Sequence, residues 1–163
     1  MQFKKFIALM SAGLVLAFSS CGTSECESVK LEKDISFHGK ITEDNSSYEA
    51  DFKRVDGAGW KATFTKPETV KGLELDLFND TCTMNFKELT YTLKRDEMPK
   101  YSMVLLITSA MDDCISGKVK CESNGEKMIE RGTVEEQDFI VELKNDKLKA
   151  IEISDLVKAE ISQ

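Results

Sequence analysis

The sequence has few of the residues on which most catalytic and metal sites depend. Its 163 residues include one histidine, one tryptophan and two prolines, and 22 basic residues stand against 29 acidic ones. The lone His38 excludes a His-rich metal site and the usual catalytic sets built on several histidines. The net charge of −7 argues against a nucleic-acid partner, whose backbone requires a basic surface. The hydrophobic fraction of 41% is still enough for one folded domain.

The first twenty residues have the pattern of a bacterial secretion signal. Two lysines precede an uncharged apolar run from Phe6 to Phe18, which is shorter than the roughly 20 residues of a membrane-spanning helix. Two serines then lead into Cys21. This arrangement resembles the lipobox of bacterial lipoproteins, with Phe18 where that pattern usually has leucine, and it predicts cleavage after Ser20 and lipidation of Cys21. The alternative is a plain secreted protein.

The predicted anchor gives the chain three parts and an extracytoplasmic location. Residues 1–20 are the signal peptide, residues 21–32 are the lipidated cysteine and a tether, and residues 33–163 are one domain, since no repeat or Pro/Gly-rich linker divides them. Acyl chains then attach the domain to the cell membrane. Without the signal, 20 basic residues remain against 29 acidic ones, a charge of −9. An anionic membrane surface repels such a domain, so we expect it to stand away from that surface.

Apolar residues alternate with polar ones through most of the chain after residue 33. This period of two is typical of antiparallel strands with one apolar and one solvated face. Turn sequences such as Asp56–Gly59, Asn79-Asp80 and Asn124-Gly125 separate the runs. The predicted strands are centred on Ile35–Ile41, Tyr48–Phe52, Trp60–Phe64, Leu73–Leu77, Cys82–Phe86, Leu89–Leu93, Lys118–Glu122, Lys127–Val134, Phe139–Leu143 and Lys147–Ile153, with a last strand or frayed helix at Leu156–Ile161.

One segment has the helical period instead. From Lys100 to Cys114, apolar residues recur at helical spacing and cover nearly half of the helix surface. Such a helix requires cover on most sides. We therefore predict a mainly β, α+β fold with one or two helices, in which a long, curved antiparallel sheet wraps around this helix.

Several short motifs follow one another as they do in a known family. Residues 48–50 read Tyr-Glu-Ala and residues 60–64 read Trp-Lys-Ala-Thr-Phe; Lys-Pro-Glu, Lys-Gly-Leu and Phe-Lys-Glu-Leu follow at 66–68, 71–73 and 86–89. In this order they resemble the LolA/LolB lipoprotein-carrier fold family, and within it small clostridial-type lipoproteins related to the spore-germination lipoprotein. The resemblance covers roughly residues 33–160 and is strongest over 46–93. It implies an unclosed half-barrel whose helix-covered cavity holds acyl chains, and it supplies no catalytic residues.

The apolar side chains of the presumed inner face are the candidates for a ligand cavity. They form either the wall of a cavity for a lipid tail or an ordinary core under the helix, and methionines suit either role. Pro67–Gly72, between two of the strands, is either a structural turn or a gate at the rim of this cavity. The candidates are Tyr48, Phe52, Trp60, Phe64, Met84, Phe86, Tyr91, Met103, Leu106, Ile107 and Met111.

The cysteines and acidic pairs indicate no catalytic or metal site. No Cys-x₂-Cys spacing occurs, so neither a zinc ribbon nor a thioredoxin-like site is predicted. Exported cysteines can pair, and Cys114–Cys121 is the favoured bridge because a helix end and the next strand are neighbours in the chain; buried free thiols are the alternative. The acidic pairs Asp112-Asp113 and Glu135-Glu136 are predicted to be solvated.

These observations favour a non-enzymatic lipoprotein without a cofactor or metal. Its predicted role is to bind an apolar ligand, such as a lipid or acyl chain, or an envelope protein. One alternative is a partner or regulator of a cell-wall or spore-cortex hydrolase. A second is a structural envelope lipoprotein with a packed core and no ligand.

Overall fold

The computed structural model describes residues 24–25, 31–100, 102–123 and 125–162. The predicted signal peptide and Cys21 lie outside these residues. Within them the protein is mainly β, with one antiparallel sheet and one α-helix. The strands are β1 (Ser24–Glu25), β2 (Ile35–Glu43), β3 (Ser46–Val55), β4 (Gly59–Lys66), β5 (Glu74–Phe78), β6 (Thr81–Phe86), β7 (Leu89–Lys94), β8 (Lys120–Ser123), β9 (Lys127–Val134), β10 (Gln137–Lys144), β11 (Lys147–Ile153) and β12 (Val157–Ser162); the helix α1 is Met103–Ile115.

The sheet is unclosed, with β1 at one edge and β7 at the other. Its order is β1-β8-β9-β10-β11-β12-β2-β3-β4-β5-β6-β7, so the last strand of the chain pairs with the first strand after the tether. The predicted order of strands and helix is confirmed, and the chain end is a strand rather than a frayed helix. Part of the predicted tether also joins the sheet, because Ser24 and Glu25 pair with Ser123 and Glu122 of β8.

The apolar faces of the strands form one core with the helix. Phe52, Phe139, Leu106, Ile107 and Met111 are among its fully buried side chains. We call the side of the sheet on which α1 lies the helix face. The helix begins at Met103, three residues later than predicted, after a turn in which the amide of Ser102 donates to the carbonyl of Pro99. Among the described residues, no helix is long and apolar enough to cross a membrane.

Candidate ligand-binding face

Apolar side chains cross the helix face from β4 to β7 in continuous rows. Antiparallel partners place their side chains on the same face, so the row that starts at Ala62 continues through Leu75 and Met84 to Tyr91. The next row ends with Phe86 opposite Leu89. The strand alternation that the sequence predicts therefore does build one apolar surface.

The burial of these rows falls steadily towards the sheet edge. Ala62 and Leu75 are buried, Met84 and Phe86 are half-buried, and Tyr91 and Leu89 are 63% and 74% exposed. We call the four residues Met84, Phe86, Leu89 and Tyr91 the apolar strip. Large exposed apolar side chains that adjoin one another are typical of interaction sites. The strip is therefore a solvent-exposed continuation of the apolar core surface.

The position of the helix explains why the strip is open. The backbone of α1 lies closest to β9 and β11, which are far from β7 in the order of the sheet. Its apolar residues Leu106, Ile107 and Met111 are fully buried. Thr108 is also buried, and its hydroxyl donates to the carbonyl of Val104 at 2.8 Å, so this polar group has its hydrogen-bond partner within the helix.

A carboxylate of the helix is hydrogen-bonded to two strands of the sheet. Asp112 Oδ1 accepts hydrogen bonds from Arg54 Nε and from Trp60 Nε1, both at 2.9 Å. Arg54 Nη1 also donates to the carbonyl of Lys33 at 2.6 Å. Asp112 therefore joins α1 to β3 and β4, while its side chain stays 40% exposed, in keeping with the expected solvation. Nothing in the sequence around Asp112 indicates these partners, because they are more than 50 residues away.

The segment Pro67–Gly72 connects β4 to β5 beside the strip. The amide of Gly72 donates to the carbonyl of Phe64, and the amide of Phe64 donates to the carbonyl of Leu73. Val70 and Leu73 pack against the core while partly exposed. The segment is thus a hydrogen-bonded turn, and its role as a gate stays a prediction.

The predicted cavity candidates lie on the helix face, but their exposure differs widely. Tyr48 packs edge-on against Phe64 with ring centroids 6.1 Å apart, and Lys87 Nζ lies 5.1 Å from the centroid of the Phe86 ring. Leu89, which is not among the predicted candidates, is the most exposed apolar residue beside them. Phe52, Trp60, Phe64, Leu106, Ile107 and Met111 are buried, Tyr48, Met84, Phe86 and Met103 are half-buried, and Tyr91 is exposed.

A cleft elsewhere on the surface has a different character. Its volume is about 770 Å³, and charged side chains of Lys118, Lys120, Arg131, Asp138 and Glu152 contribute to its walls. It contains none of the predicted cavity candidates. These charges of both signs make it a poorer site for an acyl chain than the strip.

The cysteines contradict the predicted Cys114–Cys121 bridge. Cys114 and Cys82 are free and buried, whereas Cys121 is disulfide-bonded, so the partner of Cys121 is neither of them. Cys114 instead lies close to Glu130 of β9, which is fully buried and lies opposite Cys121 where β8 pairs with β9.

We expect Cys114 to resist alkylation in the folded protein. Burial, and next the carboxyl of Glu130, raise the pKa of the Cys114 thiol well above its usual range, so little thiolate forms. Iodoacetamide at mildly alkaline pH should leave Cys114 unmodified, as read by peptide mass spectrometry. In a Ser116→Cys variant, the exposed new thiol two residues away should react promptly. Equal rates for the two thiols would contradict the assignment.

Comparisons with known proteins add no identity to this picture. No protein-family model matches the chain, and no curated protein matches it significantly.

Proposed function

We propose that this protein is a membrane-anchored extracytoplasmic lipoprotein that binds an apolar ligand, a lipid or acyl chain, without chemical conversion. Its sheet curves into an unclosed half-barrel around α1, and the ligand lies along the apolar strip. A sheet of twelve strands accumulates twist, which favours this curvature.

The exposure of Leu89 and Tyr91 is the observation that carries this proposal. Tyr91 continues a row whose inner members Ala62 and Leu75 are buried, and Leu89 adjoins the half-buried Phe86. A ligand on them would therefore contact a preformed apolar surface. Complete burial of one such side chain contributes about 1.5–3 kcal/mol. Met84 lies between them and the core, and its flexible thioether adapts to chains of different shape.

Photocrosslinking in cells tests this proposal on the whole protein. Cells that express the full-length chain are supplied with a diazirine fatty acid, irradiated, and the tryptic peptides of the protein are mapped. Label on the peptide Glu88–Lys94 is expected, since this peptide carries the exposed end of the strip. Fatty acid incorporated at Cys21 would appear on a different peptide and cannot be confused with it.

Two double variants separate the helix face from the opposite face. Leu89→Glu with Tyr91→Glu should reduce the labelling of this peptide at least tenfold, because charges on the strip oppose contact with an acyl chain. Thr90→Glu with Thr92→Glu adds the same charge on the other face of β7 and should retain the label. Absence of label on Glu88–Lys94 in the unsubstituted protein, or equal loss in both variants, would contradict the proposal.

A further inference from the structure

The edge strand β7 has the features of a strand that pairs with a copy of itself. It is the last strand of the sheet, and no described strand lies on its other side. Natural edge strands usually carry charges that prevent pairing, but Leu89–Leu93 has none. Leu89, Thr90, Tyr91 and Thr92 are all exposed. The backbone of this stretch is therefore accessible to another strand.

The outward backbone groups belong to Thr90 and Thr92. The amide of Arg95 donates to the carbonyl of Asp80, the residue before β6, so the backbone of Arg95 faces β6. Backbone polar groups alternate in direction along a strand, so those of Leu89, Tyr91 and Leu93 also face β6, and those of Thr90 and Thr92 face the open edge. The open stretch ends at Lys94, whose amide donates to Glu97 Oε2 at 2.8 Å.

The sequence of this stretch reads the same in both directions. Leu-Thr-Tyr-Thr-Leu, residues 89–93, is a palindrome centred on Tyr91. Two copies in antiparallel pairing about a two-fold axis at Tyr91 place Leu89 opposite Leu93 and Thr90 opposite Thr92 of the other copy. Apolar side chains then meet on the helix face and threonines on the other face. Such a self-complementary patch is what a two-fold dimer interface requires.

The charges at the two ends of the stretch are complementary in the same register. Glu88 lies in the turn just before the palindrome and Lys94 ends β7, so the pairing brings each glutamate near the lysine of the other copy. Opposite charges across neighbouring strands stabilise a pair, and like charges destabilise it. We propose that the protein forms a two-fold homodimer through antiparallel pairing of β7 with its own copy, which joins the two sheets into one.

A symmetric disulfide tests the register of this dimer. Non-hydrogen-bonded partners in antiparallel strands have Cα atoms about 4.5 Å apart, within the range of a disulfide. Full-length protein with Tyr91→Cys should therefore give a covalent dimer under mild oxidation. Leu89→Cys is the matched control, because the two substituted positions lie on opposite sides of the two-fold axis and should crosslink at least tenfold less. Equal crosslinking of both variants would contradict the register.

Size measurements test the dimer without oxidation. In a mild detergent, light scattering on the full-length protein should give a dimer that dissociates on dilution. Thr92→Pro removes an outward amide and should weaken the dimer at least tenfold, whereas Thr92→Val keeps the amide and should leave it intact. Both substitutions lose the contact between the hydroxyls of Thr92 and Thr83, at 3.0 Å, so that loss cannot account for a difference between them. A monomer at all concentrations would overturn the proposal.

Charge exchange supplies an independent check. Glu88→Lys and Lys94→Glu should each weaken the dimer, and the two together should restore it; a double variant as weak as the singles would contradict the pairing. The dimer and the proposed ligand site can be tested separately, because Thr92→Pro should weaken the dimer while all four residues of the apolar strip remain. Labelling of Glu88–Lys94 by the diazirine fatty acid should therefore persist in that variant.

Discussion

Replacing Gly59 with alanine should destabilise the protein by about 3 kcal/mol or more. Gly59 opens β4 with a φ of +82°, and a Cβ built there would lie 2.1 Å from the carbonyl oxygen of Leu77. That oxygen belongs to β5, which is held by strands on both sides and cannot move away alone. The conformational cost and the clash therefore add, and the free energy of unfolding from urea titrations should report their sum.

Gly57 is the matched control for this substitution. It lies in the same turn with a φ of +73°, but no atom lies within 4 Å of a Cβ built there. Gly57→Ala should thus show the conformational cost alone, about 1 kcal/mol. Equal losses in the two variants would show that the approach of β4 to β5 is looser than the structure describes.

Replacing Trp60 with alanine should cost about 3–5 kcal/mol of unfolding free energy. Trp60 is 4% exposed, packs edge-on against Phe37 with ring centroids 6.1 Å apart, and donates to Asp112. The substitution leaves a cavity at the point where β4, the core and the helix meet. Because Trp60 is the one tryptophan of the chain, unfolding should be followed by circular dichroism rather than by fluorescence.

A smaller substitution separates the packing of Trp60 from its hydrogen bond. Trp60→Phe keeps most of the ring volume and loses the indole N–H, so it should cost about 1–2 kcal/mol. In an Asp112→Ala background the hydrogen bond is already absent, and Trp60→Phe should then cost less than in the unsubstituted protein. A cost of Trp60→Phe as large as that of Trp60→Ala would contradict the central role of packing.

The strands could be predicted because their signal is local. Alternation at period two identifies both the strand and the face that each side chain occupies, and the only helical period in the domain marks α1. The beginning of the helix is predicted less accurately, since the predicted helix starts at Lys100 although the turn at Pro99–Ser102 precedes the helix. Helix ends depend on such turns more than on apolar periodicity.

The extent of the site could not be predicted because it depends on where the helix lies across the sheet. Phe52 and Tyr91 occupy equivalent places in the alternation, yet Phe52 is 1% exposed and Tyr91 is 63% exposed. Two tertiary features distinguish them: β3 lies inside the sheet whereas β7 is its edge, and α1 lies near β9 and β11, far from β7. The burial of Glu130 is different, because the sequence does indicate it: Glu130 is a charged residue at a position of β9 where the alternation requires an apolar one.

Native mass spectrometry of the full-length protein, extracted gently from its membrane, tests the central claim most directly. A spectrum under native conditions should show a mass increment of one lipid or fatty acid that disappears under denaturing conditions, whereas a lipid on Cys21 would persist in both. The increment should be absent from the variant with Leu89→Glu and Tyr91→Glu. Identical native and denatured masses for the unsubstituted protein would contradict the binding of an apolar ligand on the strip.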